Sequence, residues 1–243
     1  MSTHYLVGTS GFHYSHWRDK FYPHGLPSSQ WLAFYAQRFP TVELNNPFYR
    51  LPTAQAFESW RDTAPKGFLF AVKASRFITH IKRLRECEQP LQTMLDRARH
   101  LEEKLGPILY QLPPGFHRDD ERLEAFLRLL PEGYQHVFEF RHKSWFDQAI
   151  YNMLARHGAI FCAYDMTGID CPLMATAAYA YLRFHGSHYG GCYSDEDLAD
   201  WARRIRALAD ERELEAVYVY FNNDAEGFAI QNAATMGSFL AER

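Results

Sequence analysis

The sequence predicts an α/β fold, a TIM-type (β/α)8 barrel. Three observations point there. Eight short apolar or aromatic segments recur along the chain, most of them bounded by Gly, Pro, Asn or Asp. Helical patterns fall between several of them, and every one of the eight ends in a polar group. Alternating strands and helices make a parallel sheet with right-handed crossovers, and eight such strands can close on themselves. The 243 residues match the size of one such barrel, so a single domain is expected over 1–243. An open doubly wound sheet is the alternative. The first strand-to-turn sequence, Gly8-Thr9-Ser10-Gly11, is not a dinucleotide fingerprint and lends it no support.

In chain order, the strand segments are Tyr5–Gly8, Thr41–Asn45, Phe68–Lys73, Pro107–Gln111, His136–Phe140, Ala159–Asp165, Tyr179–His185 and Ala216–Asn222. After the first, Ser28 or Ser29 can cap a helix whose apolar face is Leu32, Tyr35, Ala36 and Phe39. After the fourth, Asp119 or Asp120 can cap a helix carrying Leu123, Phe126, Leu127 and Leu130, which Pro131 and Gly133 stop. Between the sixth and seventh, Met166–Ala177 holds Gly168 and Pro172 with no helical period, so no regular helix is expected there. After the seventh, Ser194 and Asp197 form a capping box before Leu198, Trp201, Ala202 and Ile205. Ala229, Asn232, Ala233, Met236 and Leu240 keep the helical period to the end of the chain.

Composition narrows the function classes. With 47% hydrophobic and 16% aromatic residues, the chain can bury a large core and is not disordered. A net charge of -3 excludes a global basic footprint for nucleic acid, though not a local one. No segment approaches the roughly 20 apolar residues of a membrane span, and the first residues lack a signal-peptide pattern. The four cysteines contain no C-x-x-C pair. These features predict a cytoplasmic protein with reduced thiols and no membrane partner. Nothing in the sequence fixes an oligomeric state or a cofactor.

In a parallel barrel, ligands meet the carboxyl ends of the strands. The strand ends supply Thr9 and Ser10, Glu43 and Asn45, Lys73, Gln111, Glu139 and Arg141, Asp165, Arg183 and His185, then Asn222, Asn223 and Asp224. Within the pairs Glu43/Asn45 and Glu139/Arg141, both residues share one strand face. Such convergence predicts a binding site, although any single pair could only order the rim. Lys73, Arg141 and Arg183 are the candidate anion holders, Asn45, Asn222 and Asn223 the candidate orienting groups, and Gln111, Asp165 and Tyr49 further candidate ligand contacts. Glu139 is the candidate general acid or base because Arg141 can tune it, with Glu43 as partner and His185 as a further proton carrier.

The stretch from Lys73 to Arg85 adds Arg76, Lys82 and Arg83 with no acid, which favours a phosphate, a carboxylate or a nucleic-acid backbone. Tyr14, Trp17 and Tyr49 could stack on bases or sugars, but the aromatics between Phe12 and Tyr22 more often pack a loop onto its own barrel. Glu43, Glu139, Asp165 and Asp224, with His185, could supply an oxygen and imidazole metal site. Three basic side chains in the same mouth would repel the cation, so no metal is the favoured reading. His185, His188 and Cys192 also have ligand-like residues at short spacing, within a Gly-rich stretch.

Six motifs in order, GTSGFHYSHW from Gly8, TVELNNPFYRLP from Thr41, YQLPP from Tyr110, FEFRHKSW from Phe138, RFHG from Arg183 and YFNND from Tyr220, resemble the domain of unknown function 72 family, the YecE-like proteins. The resemblance covers almost the whole chain. It implies a TIM-barrel-like fold and a bacterial-type cytosolic protein, and carries no assigned activity or catalytic residues. Two positions depart from it. Phe12 stands where Trp is expected and Pro47 where Thr is usual, which removes an indole donor and a backbone donor.

The leading expectation is therefore an enzyme of unassigned reaction that takes a polar, anionic, phosphate-bearing ligand at the mouth. A nucleic-acid-binding module and a metal-dependent phosphodiester hydrolase are the alternatives.

Overall fold

The computed structural model describes residues 3–186 and 191–242. Its strands are β1 (His4–Thr9), β2 (Thr41–Leu44), β3 (Leu69–Lys73), β4 (Leu105–Gln111), β5 (His136–Glu139), β6 (Ile160–Asp165), β7 (Tyr179–Phe184) and β8 (Ala216–Phe221). They form one eight-stranded sheet in the order β1-β8-β7-β6-β5-β4-β3-β2, with neighbours parallel. β1 and β2, at the two ends of that order, meet through a bridge between Ser10 and Glu43. The result is a nearly closed TIM-like barrel, each strand lying within a residue or two of its predicted bounds.

The seam between β1 and β2 has its own chemistry. A Cβ at Gly8 would stand 2.1 Å from the Thr41 carbonyl oxygen, so only glycine lets the two backbones come this close. The buried Tyr35 hydroxyl accepts from the Thr9 N–H at 2.9 Å and donates to the Thr41 carbonyl at 3.1 Å. One side chain thus satisfies two backbone groups that a regular ladder would have paired.

Alternation along the strands separates two cores. Ala71, Leu109, Val137, Ile160, Cys162, Tyr181, Ala216, Tyr218 and Tyr220 fill the barrel interior. Residues of the other parity, among them Val42, Phe70, Phe138, Phe161 and Phe221, pack outward under the helices.

The helices are α1 (Trp31–Tyr35), α2 (Asn46–Tyr49), α3 (Ala54–Thr63), α4 (Glu88–Ala98), α5 (Asp120–Leu127), α6 (Gln148–Arg156), α7 (Asp195–Glu211) and α8 (Phe228–Ala241). Asp119 caps α5 by accepting from the Arg122 N–H, and Ser194 with Asp197 builds the predicted capping box of α7. No helix spans the stretch between β6 and β7, as its Gly and Pro require.

Two helical expectations need correction. Ser28 and Ser29 cap nothing: they lie in a 3-10 turn, and Gln30 precedes α1 without a side-chain cap. α5 ends at Leu127, ahead of the Pro131 and Gly133 stop, because the chain tightens into turns through Leu129 and Leu130. Pro47 sits in the first turn of α2, where a missing N–H costs nothing, and Phe12 joins the core. Among the described residues no helix is long and apolar enough to cross a membrane.

Candidate functional site

The site is built by a two-residue step at the carboxyl ends of the strands. One inward layer holds Glu43 (β2), Glu139 (β5) and Arg183 (β7), with Tyr181 one step below on β7, all buried. Two residues further on from Glu43, Ala71, Leu109, Glu139, Arg183 and Tyr220, the same parity presents Asn45, Lys73, Gln111, Arg141, His185 and Asn222. Each of these six is half-buried, so a closed polar floor lies beneath a polar rim that solvent reaches.

The floor is an ion-pair chain across the barrel. Arg183 donates from Nη2 to Glu43 Oε1 at 2.8 Å and from Nη1 to Glu139 Oε2 at 2.7 Å. Tyr181 donates its hydroxyl to the second Glu43 oxygen at 2.6 Å. Arg141 Nε pairs with the second oxygen of Glu139. The Cys162 thiol lies 3.8 Å from Glu139. Buried charges persist only when paired and hydrogen-bonded in this way. In this floor and rim, Arg183 Nε and Asn45 Oδ1 are buried without a partner among the described residues.

Arg141 also donates from Nη2 to His185 Nε2 at 2.7 Å, and the Asn222 amide lies 3.1 Å from Nδ1. A guanidinium can only donate, so Nε2 accepts and the ring proton belongs on Nδ1. That tautomer requires Asn222 to present its amide oxygen.

These contacts move the titrations. Burial alone would raise the Glu139 carboxyl, but Arg141 and Arg183 outweigh it and hold the group well below the usual carboxylate range. Burial, then the Arg183 and Arg141 charges, push His185 down to about 2, so the ring is neutral. Burial, then Arg183, bring Lys73 down to about 8, against the opposing pull of Glu139 and Glu43.

Glu43, Asn45, Lys73, Gln111, Glu139, Arg141, Arg183, His185 and Asn222 therefore share one mouth, and four expected members do not. Asp165 has the outward parity and accepts from the Tyr193 hydroxyl at 2.5 Å. Asn223 also points outward, donating to Asn232 of α8 at 2.8 Å. Asp224 fastens the first loop, held by Trp17 Nε1 at 2.7 Å and His16 at 2.8 Å. Tyr49, the last residue of α2, is 73% exposed and lines no part of the buried floor. Strand parity, readable by counting from Cys162 and Tyr220, separates Asp165 and Asn223 from the rest.

The carboxylates proposed for a metal thus lie apart or are bridged by Arg183, and among the described residues no group of three His, Cys, Asp or Glu side chains is placed to hold one. His188 lies outside the described residues. Tyr181 and Cys162 were missed as site residues because their sequence context reads as plain strand core.

The first-loop aromatics pack rather than stack on a ligand. Trp17 is fully buried and parallel to Tyr35, and Tyr22 stacks on Trp31 at 4.5 Å. Of the basic stretch after β3, Lys73 turns into the mouth, Lys82 pairs with Glu86 at 3.1 Å, and Arg76, Arg83 and Arg85 are exposed.

Comparison with known proteins places this architecture. The model of the family described as "Protein of unknown function DUF72" matches residues 6–243. UPF0759 protein YunF of Bacillus subtilis is 28% identical over 258 residues, covering 91% of this chain and 90% of that protein. UPF0759 protein YecE of Escherichia coli is 33% identical over 116 residues, covering 47% of this chain and 43% of that one. The crystal structure of a DUF72 family protein from Thermotoga maritima superposes with a TM-score of 0.89 at 31% identity, covering 98% of this chain and all of that one. One from Enterococcus faecalis has a TM-score of 0.84 at 20% identity over 98% of this chain and 96% of the other. The chain belongs to the DUF72 family, that of the YecE-like proteins.

Proposed function

We propose that the carboxyl mouth of the barrel binds a small polar anion, bearing phosphate or carboxylate, and that the chain is an enzyme acting on it. One observation carries this reading. Among the described residues, the mouth brings Arg183, Arg141 and Lys73 against Glu43 and Glu139 alone, and no carboxylate forms an ion pair with Lys73. A partly buried cationic excess in a concave polar site attracts anions. The unpartnered Arg183 Nε–H supports the same reading, since a buried donor needs an acceptor.

In this reading Glu139 and Glu43 position the arginines: Arg141 and Arg183 take both Glu139 oxygens, and Arg183 and Tyr181 take both Glu43 oxygens. His185, neutral and held by Arg141 and Asn222, fixes the rim. Isothermal titration with inorganic phosphate, sulfate and small carboxylates tests it. Saturable binding that weakens at least about tenfold in Arg141→Met is expected. Absence of binding to all of them up to tens of millimolar rejects it.

A second reading has its own observation. Phe77 (43% exposed) and Ile81 (62%) share the segment after β3 with exposed Arg76, Arg83 and Arg85, and exposed Tyr49 connects to that segment through Phe48 and His80. Aromatics next to cations suit a single-stranded nucleic acid. Oligonucleotide affinity that falls steeply with salt and is lost in Arg83→Ala/Arg85→Ala supports it; a flat salt dependence excludes it.

A further inference from the structure

We infer that Lys73 is a covalent nucleophile, whose amine condenses with the carbonyl carbon of an aldehyde or ketone that also carries a phosphate or carboxylate. This rests on the anion-binding reading of the mouth and names the substrate class.

The other five lysines are tied to a partner or exposed. Lys104, also buried, is a structural cation: its ammonium donates to the Arg61 carbonyl at 2.5 Å and the Ala64 carbonyl at 2.6 Å. Lys20 and Lys82 pair with Glu226 and Glu86. Lys66 and Lys143 are exposed. Lys73 follows none of these patterns. It stands at the end of β3 with inward parity, half-buried, with its ammonium 4.4 Å from the centre of the Phe48 ring. An aromatic face holds the chain in place without accepting its proton.

Its surroundings favour the free amine. The groups facing it are Glu43 from β2, His80 from its own loop, Glu139 and Arg141 at the end of β5, and Arg183 and His185 from β7. Burial and the two guanidinium groups disfavour the ammonium form. Amines desolvated beside other cations are the ones that attack carbonyl carbon at neutral pH. Arg141 at the rim is the donor for the anionic group, and the buried Arg183 Nε–H and Asn45 Oδ1, without a partner among the described residues, leave a donor and an acceptor for the same molecule.

The step balances without a redox partner. The Lys73 nitrogen forms a bond to the carbonyl carbon. The carbonyl oxygen leaves as water, carrying two of the three ammonium protons. The third stays on the nitrogen of the iminium, which keeps one positive charge within the fields of Glu139 and Glu43. Hydrolysis reverses the step.

Reductive trapping tests this on the native chain. The protein is incubated with glycolaldehyde phosphate, glyoxylate or neutral glycolaldehyde, each with cyanoborohydride, and the labelled lysines are located by peptide mass spectrometry. Lys73 is expected to label at least about tenfold faster at pH 7.5 than Lys20, Lys66, Lys82, Lys104 or Lys143, with a half-maximal rate near pH 8. One or both anionic probes should outpace glycolaldehyde about tenfold, and inorganic phosphate should protect. The faster anionic probe tells phosphate from carboxylate. Labelling of Lys73 no faster than that of the exposed lysines overturns the inference, and if phosphate still binds, the anion reading survives alone. Fast labelling that is equal for neutral and anionic probes, without phosphate protection, overturns the substrate class and the anion reading together.

Discussion

Arg183 of β7 reaches across the barrel to Glu43 of β2, 2.8 Å from Nη2 to Oε1, and both side chains are essentially without solvent contact. Their strands are not neighbours in the sheet, so this contact ties together opposite parts of the wall on either side of the weak β1–β2 seam. Removing one partner of a buried pair leaves an uncompensated charge, which typically costs about 3–5 kcal/mol. Arg183→Met leaves Glu43 with the Tyr181 hydroxyl and Glu139 with Arg141 as its ion-pair partner, and is expected to lose about that much, a large share of an ordinary 5–15 kcal/mol stability. Replacing Arg183, Glu43 and Glu139 together with apolar residues should cost much less than the sum of the single changes. Urea unfolding of the single and combined variants measures both effects.

The Tyr35 hydroxyl is the second fastening of that seam. Tyr35→Phe leaves the Thr9 N–H and the Thr41 carbonyl without their buried partner. A loss of about 2–4 kcal/mol is expected from two unsatisfied buried groups, with little change in packing volume. Amide hydrogen exchange should localise the damage, with Thr9 losing protection more than residues of β4 or β5.

Acid should destabilise the protein in two stages. Folded His185 titrates near 2 whereas an unfolded histidine takes its proton near 6.5, so the unfolded chain binds the extra proton as the pH falls below 6.5. Stability is then lost by up to about 1.4 kcal/mol per pH unit for that one group. Glu139, held below its ordinary 4.5, adds a second loss when the unfolded carboxyl begins to protonate. Its contribution is complete above that range and disappears toward lower pH. Denaturation midpoints should stay level from pH 7.5 to about 6.5 and fall from there to pH 4, and His185→Gln should flatten the part between about pH 6.5 and 5.

Lys73 has the opposite cost. Its folded value near 8 lies below the unfolded one, so the unfolded chain holds the proton more tightly and Lys73 weakens the fold at neutral pH. The penalty fades as pH rises from 8 toward 10.5. Lys73→Met should raise stability at pH 7 by about 1–2 kcal/mol, after the lost contact with Phe48 is subtracted. A gain that vanishes near pH 10.5 would show that the desolvated charge is its source.

Asn223 provides a control. It joins Asn232 and the Gly191 carbonyl outside the barrel, away from the mouth. Asn223→Ala should lower stability by about 1–2 kcal/mol and leave phosphate affinity within twofold. Asn222→Ala, one residue earlier and facing in, should weaken phosphate binding by releasing His185 and Arg141.

The strand segments and their polar ends were legible in the sequence because each is a local property: β-branched and aromatic runs, breaker residues, and a charged or amide group where the run stops. The irregular stretch after β6 and the Ser194 capping box were legible for the same reason. Which of those polar ends face one another was not, because it depends on parity carried to the last residue of each strand. Asp165 and Asn223 end their strands on the outward side, so a helix or loop claims them, while Tyr181 looks like ordinary strand core until closure turns its hydroxyl onto Glu43. Nor does composition reveal that Arg141 and Arg183 spend their charge on Glu139 and Glu43 whereas Lys73 does not. Pairing inside a barrel is decided by distances of a few ångströms across its axis, between residues up to about 140 positions apart in the chain, and only the closed wall sets those distances.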